Sequence, residues 1–139
     1  MEKLIIYFAL FLFSFVNYAQ VDREYETRSI KGKFKITYID STKNYYTINA
    51  VSDNNTQILI LQKKLKRKER KKILKETKVD KIIIGQTYYF NLENWFYSFA
   101  IYGSANDRII IDKKVIYEKG KSQHFVYKTI NLKGIYYKI

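Results

Sequence analysis

Three observations predict a mainly β, single-domain protein. Apolar and polar residues alternate with period two along much of the chain, clusters of turn-forming residues separate these runs, and only one stretch carries a pattern compatible with a helix. The composition supports a packed body: 47% of residues are hydrophobic and 17% aromatic, which excludes a disordered chain despite a formal net charge of +13. No repeat and no Pro- or Gly/Ser-rich linker divides the chain. A single domain is expected over residues 20–139.

Residues 1–19 are read as a signal peptide. A short polar start precedes an apolar run at 4–16, which as a helix would reach roughly 20 Å, short of the ~30 Å hydrocarbon core of a bilayer. The run ends at Asn17-Tyr18-Ala19-Gln20, where the small Ala19 suits cleavage. A buried N-terminal strand or a short uncleaved anchor is the alternative. The chain has no Cys, hence neither disulfides nor a lipidation site. A bacterial, non-lipidated product is expected, secreted or periplasmic and not membrane-spanning after cleavage.

The first strand is expected at 33–40, where Phe34, Ile36 and Tyr38 alternate with Lys33, Lys35 and Thr37. Turn formers at 40–44 lead into a second strand at 45–52, with Tyr46, Ile48 and Ala50 on one side. A second turn cluster follows at 52–55; Asn54-Asn55-Thr56 has the form of a glycosylation acceptor but reads as part of that turn. Ile58 to Leu61 is apolar on both faces and should lie centrally in a sheet.

Residues 62–81, QKKLKRKERKKILKETKVDK, hold eleven Lys or Arg against three acidic residues, a net +8. Leu61, Leu65, Ile73 and Leu74 could share one side of a helix, but Glu69 interrupts the stripe and Lys68 and Lys72 crowd it. A helix or frayed loop is expected. Beyond it come Ile82-Ile83-Ile84, Gly85 at a position suited to positive φ, and a strand with Tyr88, Phe90 and Leu92 on one face. Residues 95–102, 108–117 and 125–137 are further strand candidates. Phe34, Ile36, Ile48, Ile60 and Phe90 are expected to share one core.

The order of these elements resembles an OB-fold barrel. GKFKI at 32–36, YTINA at 46–50, ILIL at 58–61 and IGQTYYF at 84–90 look like its first four strands. The resemblance covers about residues 31–92 and implies a small antiparallel barrel, with the basic run as the variable link between strands 3 and 4. The whole chain is also similar to short exported proteins of Bacteroidota-type bacteria, a likeness that implies no activity.

Three functional readings of the basic run compete. A polyanion site would use Lys63, Lys64, Lys66, Arg67, Lys68, Arg70, Lys71, Lys72 and Lys75 for anionic groups, with Tyr45, Tyr88, Tyr89 or Phe96 as stacking surfaces. An exported protein would not meet cytoplasmic nucleic acid; lipopolysaccharide phosphates, acidic glycans and extracellular nucleic acid remain. Binding at a membrane surface and a merely solvated connection are the other two.

Catalysis has little support. His124 is the one histidine of the chain, no Cys is present, and no phosphate-binding or metal-ligand spacing occurs, so neither cofactor nor metal is expected. A hydrolase would need paired carboxylates, for which Glu93 with Asp107 or Asp112 are the available residues. A non-catalytic binding or structural module of the bacterial envelope is the expectation.

Overall fold

The computed structural model describes residues 29–95, 108–118, 121 and 125–139. The signal-peptide stretch, Phe96, Asp107 and His124 lie outside these residues, as does most of the strand expected at 95–102.

The described chain is mainly β. Its elements are β1 (Ser29–Ser41), β2 (Tyr45–Ser52), β3 (Gln57–Lys63), α1 (Arg67–Glu76), β4 (Val79–Lys81), β5 (Thr87–Asn94), β6 (Arg108–Ile111), β7 (Lys114–Glu118), β8 (Phe125–Thr129), β9 (Leu132–Lys133) and β10 (Tyr136–Lys138). Five strands close a barrel in the order β1-β2-β3-β8-β5, with β5 returning to pair with β1. This arrangement is compatible with an OB-like barrel. It is not wholly antiparallel as expected: β3 and β8 run parallel, Ile58 beside Phe125 and Ile60 beside Tyr127. A parallel pair cannot be joined by a tight hairpin, and β8 is reached only after α1, β5 and the β6–β7 hairpin have intervened.

The double-sided apolar character of β3 has a direct cause. Ile58 and Ile60 point into the barrel, where they join Phe34, Ile36, Ile48, Phe90, Leu92 and Tyr127. Leu59 and Leu61 point outward into a second cluster with Ile109 and Val126, against which Trp95, Ile111, Ile116 and Tyr117 pack. The hairpin β6–β7 therefore covers one side of the barrel. The five core residues expected from their strand phase do lie together in the inner cluster.

Tyr38 departs from the expected alternation and is 55% exposed. The β1–β2 register shifts between Ile36 and Tyr38, so the extra residue reverses the phase and Ile39 packs against the core instead. The bulge also lets one long strand serve two partners, since residues 29–35 pair with β5 and 34–41 with β2.

Two of the late strand expectations divide. Residues 108–117 form a hairpin because Asp112 and Lys113 both adopt positive φ, 51° and 66°. Residues 125–137 break into β8, β9 and β10, with Gly134 at φ 59° between the last two. The tail of the basic run supplies a strand the alternation did not reveal: β4 pairs with β10, which pairs with β9, in a small second sheet. Tyr137 joins this sheet to the barrel, its ring 5.9 Å from Phe90 and its hydroxyl donating to the Tyr89 carbonyl at 2.8 Å.

Candidate polyanion-binding site

The basic run leaves β3 anchored. The Lys64 N–H donates to the Asn44 carbonyl at 2.8 Å and its ammonium to the Thr42 carbonyl at 2.5 Å, with the charge 5.1 Å from the Tyr46 ring centre. Leu65 then rests on the β9–β10 turn. A Cβ at Gly134 would come within 3.3 Å of Leu65 Cγ, so glycine there serves both the left-handed backbone and the close approach.

Helix α1 follows as a ten-residue element. The Glu69 carboxylate accepts the Lys66 N–H at 2.8 Å, satisfying one donor at the helix start and placing negative charge near the positive end of the helix dipole. Lys75 occupies the last turn, where a cation is favourable. These local terms offset part of the repulsion among Arg67/Lys71, Lys68/Lys72 and Lys71/Lys75, each spaced i,i+4.

No residue of α1 is buried. At about 100° per residue, Arg67, Lys68, Lys71, Lys72 and Lys75 fall on one arc of roughly 140°, flanked by Arg70. Ile73, half-buried, falls on the opposite side, so the cations face solvent while Ile73 faces the body of the protein. Among the described residues none of these six cations enters an ion pair; the four pairs are Arg108–Glu118, Lys114–Asp40, Lys121–Glu118 and Lys128–Glu93. The apolar stripe considered for this helix does not form. Leu61 belongs to β3, Leu65 packs before the helix begins, and Leu74 is 53% exposed.

The candidate cations are thus not equivalent. Lys63 ends β3 and is exposed, Lys64 is tied to the β1–β2 turn, and Lys66 with the α1 residues is open to solvent. The candidate stacking residues are scattered over the barrel. Tyr45 is half-buried with its ring edge-on to Trp95 at 6.4 Å. Tyr88 is half-buried with its ring 5.1 Å from Tyr137, and its hydroxyl accepts the Ile83 N–H and donates to Gln86. Tyr89 is the most exposed of the three, at 48%.

Sequence reasoning missed a cationic face beyond the helix. In the second sheet Tyr136 stands directly across from Lys81 on β4 and from Lys133 on β9, so the three share one face. Tyr137, Leu132 and the core lie on the other face. The available signal was the shared phase of Val79 and Lys81 around Asp80 and of Tyr136 and Lys138 around Tyr137, both too short to stand out from their surroundings.

The carboxylates weighed for hydrolysis have separate attachments. Glu93 pairs with Lys128 at 3.7 Å on an open groove of about 510 Å³ between β1, β5 and β8. Asp112 accepts three hydrogen bonds: from the Thr42 hydroxyl at 2.6 Å, the Asn44 N–H at 2.7 Å and the Asn44 side-chain amide at 2.7 Å. Among the described residues no group of three or more His, Cys, Asp or Glu is placed to hold a metal ion.

The Thr42 hydroxyl, then the Asn44 N–H, hold the Asp112 carboxyl below the usual carboxylate range, against a smaller opposing effect of desolvation. Asp112 thereby fastens the β6–β7 hairpin to the β1–β2 turn, assisted by the Lys114–Asp40 pair at 3.1 Å. A lowered folded value stabilises the protein above the unfolded carboxylate pKa of about 3.9 and is lost as pH falls through the folded value. Asp112→Asn should therefore lower the melting midpoint at neutral pH, with the gap to wild type closing below pH ~4. A gap of constant size across that range would mean that the ionised carboxylate contributes nothing.

Comparison of the chain with family models, with curated proteins and with solved structures finds no match in any of the three.

Proposed function

We propose that this is an exported, non-catalytic binding module of the bacterial envelope that engages a polyanion through α1. The observation that carries this reading is the arc of cations on a helix with no buried residue and no ion-paired cation among the described residues. A ten-residue helix gains little from propensity alone, and like charges weaken it further. A bound polyanion would offset that repulsion, and release of its counterions would drive association.

The envelope setting rests on the features of residues 1–19 and the absence of cysteine. Acidic glycan, lipopolysaccharide phosphate and extracellular nucleic acid all present the required charge. The Glu93–Lys128 pair on the open groove and the three hydrogen bonds held by Asp112 give these carboxylates structural partners, which favours binding over hydrolysis.

The test is the salt dependence of binding to heparin and to single-stranded DNA. With about six cations in contact with a single strand, the log–log slope of affinity against salt should be near −4. A slope near zero, or no retention on heparin at low salt, would refute the proposal.

A further inference from the structure

We infer that the polyanion is an anionic phospholipid bilayer, met by the Ile83–Ile84 turn together with the lysine-bearing face of the second sheet. This inference rests on the polyanion reading of α1 and names the partner.

Two neighbouring isoleucines stand in water at the tip of this turn, Ile83 54% and Ile84 53% exposed. Adjacent large apolar residues on a tight turn are unusual on a soluble surface unless something covers them. The turn is stiffly built. The Gln86 N–H donates to the Ile83 carbonyl at 3.2 Å, and Gly85 takes φ 91° as the turn requires. The Gly85 N–H donates to the Ile36 carbonyl at 2.7 Å, the Ile36 N–H to the Gln86 carbonyl at 2.9 Å, and the Ile83 N–H to the Tyr88 hydroxyl at 2.9 Å. Much of the polar backbone of the tip is thus already paired within the protein. Moving it out of water forfeits few hydrogen bonds, which is the condition for entering the edge of a hydrocarbon layer.

The surroundings suit the same partner. Ile82 turns inward, 3% exposed, with its N–H on the Ile135 carbonyl, so Lys81 and Ile83 on either side of it are the exposed residues. Lys81 shares its face with Tyr136 and Lys133, and Asp80 across from Tyr137 lies on the opposite face. A tyrosine between lysines matches the headgroup layer, where the ring sits at the boundary and the long lysine stems carry their charges to phosphates. Tyr38, 55% exposed, adds apolar surface on β1 two residues beyond Ile36, to which the turn is bonded. A soluble acidic chain would use the cations and gain nothing from the two isoleucines; an anionic bilayer uses both.

The experiment measures cosedimentation of the exported protein with vesicles of phosphatidylcholine alone or mixed with phosphatidylglycerol, for wild type and for Ile83→Ser/Ile84→Ser. Heparin retention and the melting midpoint are followed in parallel. Wild type should bind the mixed vesicles and not phosphatidylcholine alone. The double variant should bind them about tenfold more weakly or worse, with heparin retention and melting unchanged, because both side chains are exposed. Heparin retention without vesicle binding, or equal vesicle binding by the two proteins, would overturn the lipid inference and leave the polyanion reading standing. No heparin retention by wild type would remove that reading and this inference together. A wild-type dimer that the double variant converts to monomer, seen by light scattering, would assign the tip to self-association and likewise overturn the inference.

Discussion

Replacing Phe90 by alanine is expected to destabilise the protein by ~3–5 kcal/mol, a large part of what a domain of this size has. The side chain is fully buried, and its ring lies 6.5 Å from Phe34, 6.1 Å from Tyr88 and 5.9 Å from Tyr137. These neighbours belong to β1, β5 and β10, so both the barrel and the second sheet would lose packing. The strands around the void are hydrogen-bonded on both sides: Phe90 itself pairs with Gly32, and β5 is flanked by β1 and β8. Such walls cannot collapse far into the gap, which favours the upper part of the range. Urea unfolding should show a lower midpoint with little change in slope; a loss under about 1 kcal/mol would contradict the packing described.

The second large effect concerns binding and leaves the fold alone. A variant with Lys66, Arg67, Lys68, Arg70, Lys71 and Lys72 replaced by Gln should melt at or slightly above the wild-type midpoint. No residue of α1 is buried, glutamine is a comparable helix former, and relief of like-charge contacts adds a few tenths of a kcal/mol per pair. The same variant should lose most of its affinity for heparin and single-stranded DNA, and its salt slope should be much shallower than the near −4 expected of wild type. Equal slopes would make α1 a solvated connection and nothing more. A large drop in melting midpoint would show instead that the helix supports the barrel.

How far the fold could be read in advance depended on the range of the interactions involved. Alternation within a strand is a local property, and Phe34, Ile36, Ile48, Ile60 and Phe90 all reached the core their phase assigned. The two apolar faces of β3 announced a strand covered on both sides, and the positive φ of Gly85 was legible in a residue without a side chain. The basic run stood out as the stretch without alternation, readable as a helix or a frayed loop, and among the described residues its middle part is the helix α1.

Tertiary structure decided the rest, because it depends on partners distant in sequence. The phase of Tyr38 turned on a bulge formed only where β1 changes partner from β5 to β2. The parallel β3–β8 pair depended on where the chain returned after β7. Asp112 was available in the sequence as a partner for Glu93, and only folding brought Thr42 and Asn44 to it. The candidate site followed the same division. The charge of α1 is composition and stands in the sequence, but its lack of ion pairs among the described residues depends on where the acids fold. Lys81, Tyr136 and Lys133 become neighbours only through two strand registers, and a register is fixed by hydrogen bonds between strands, which no single strand contains.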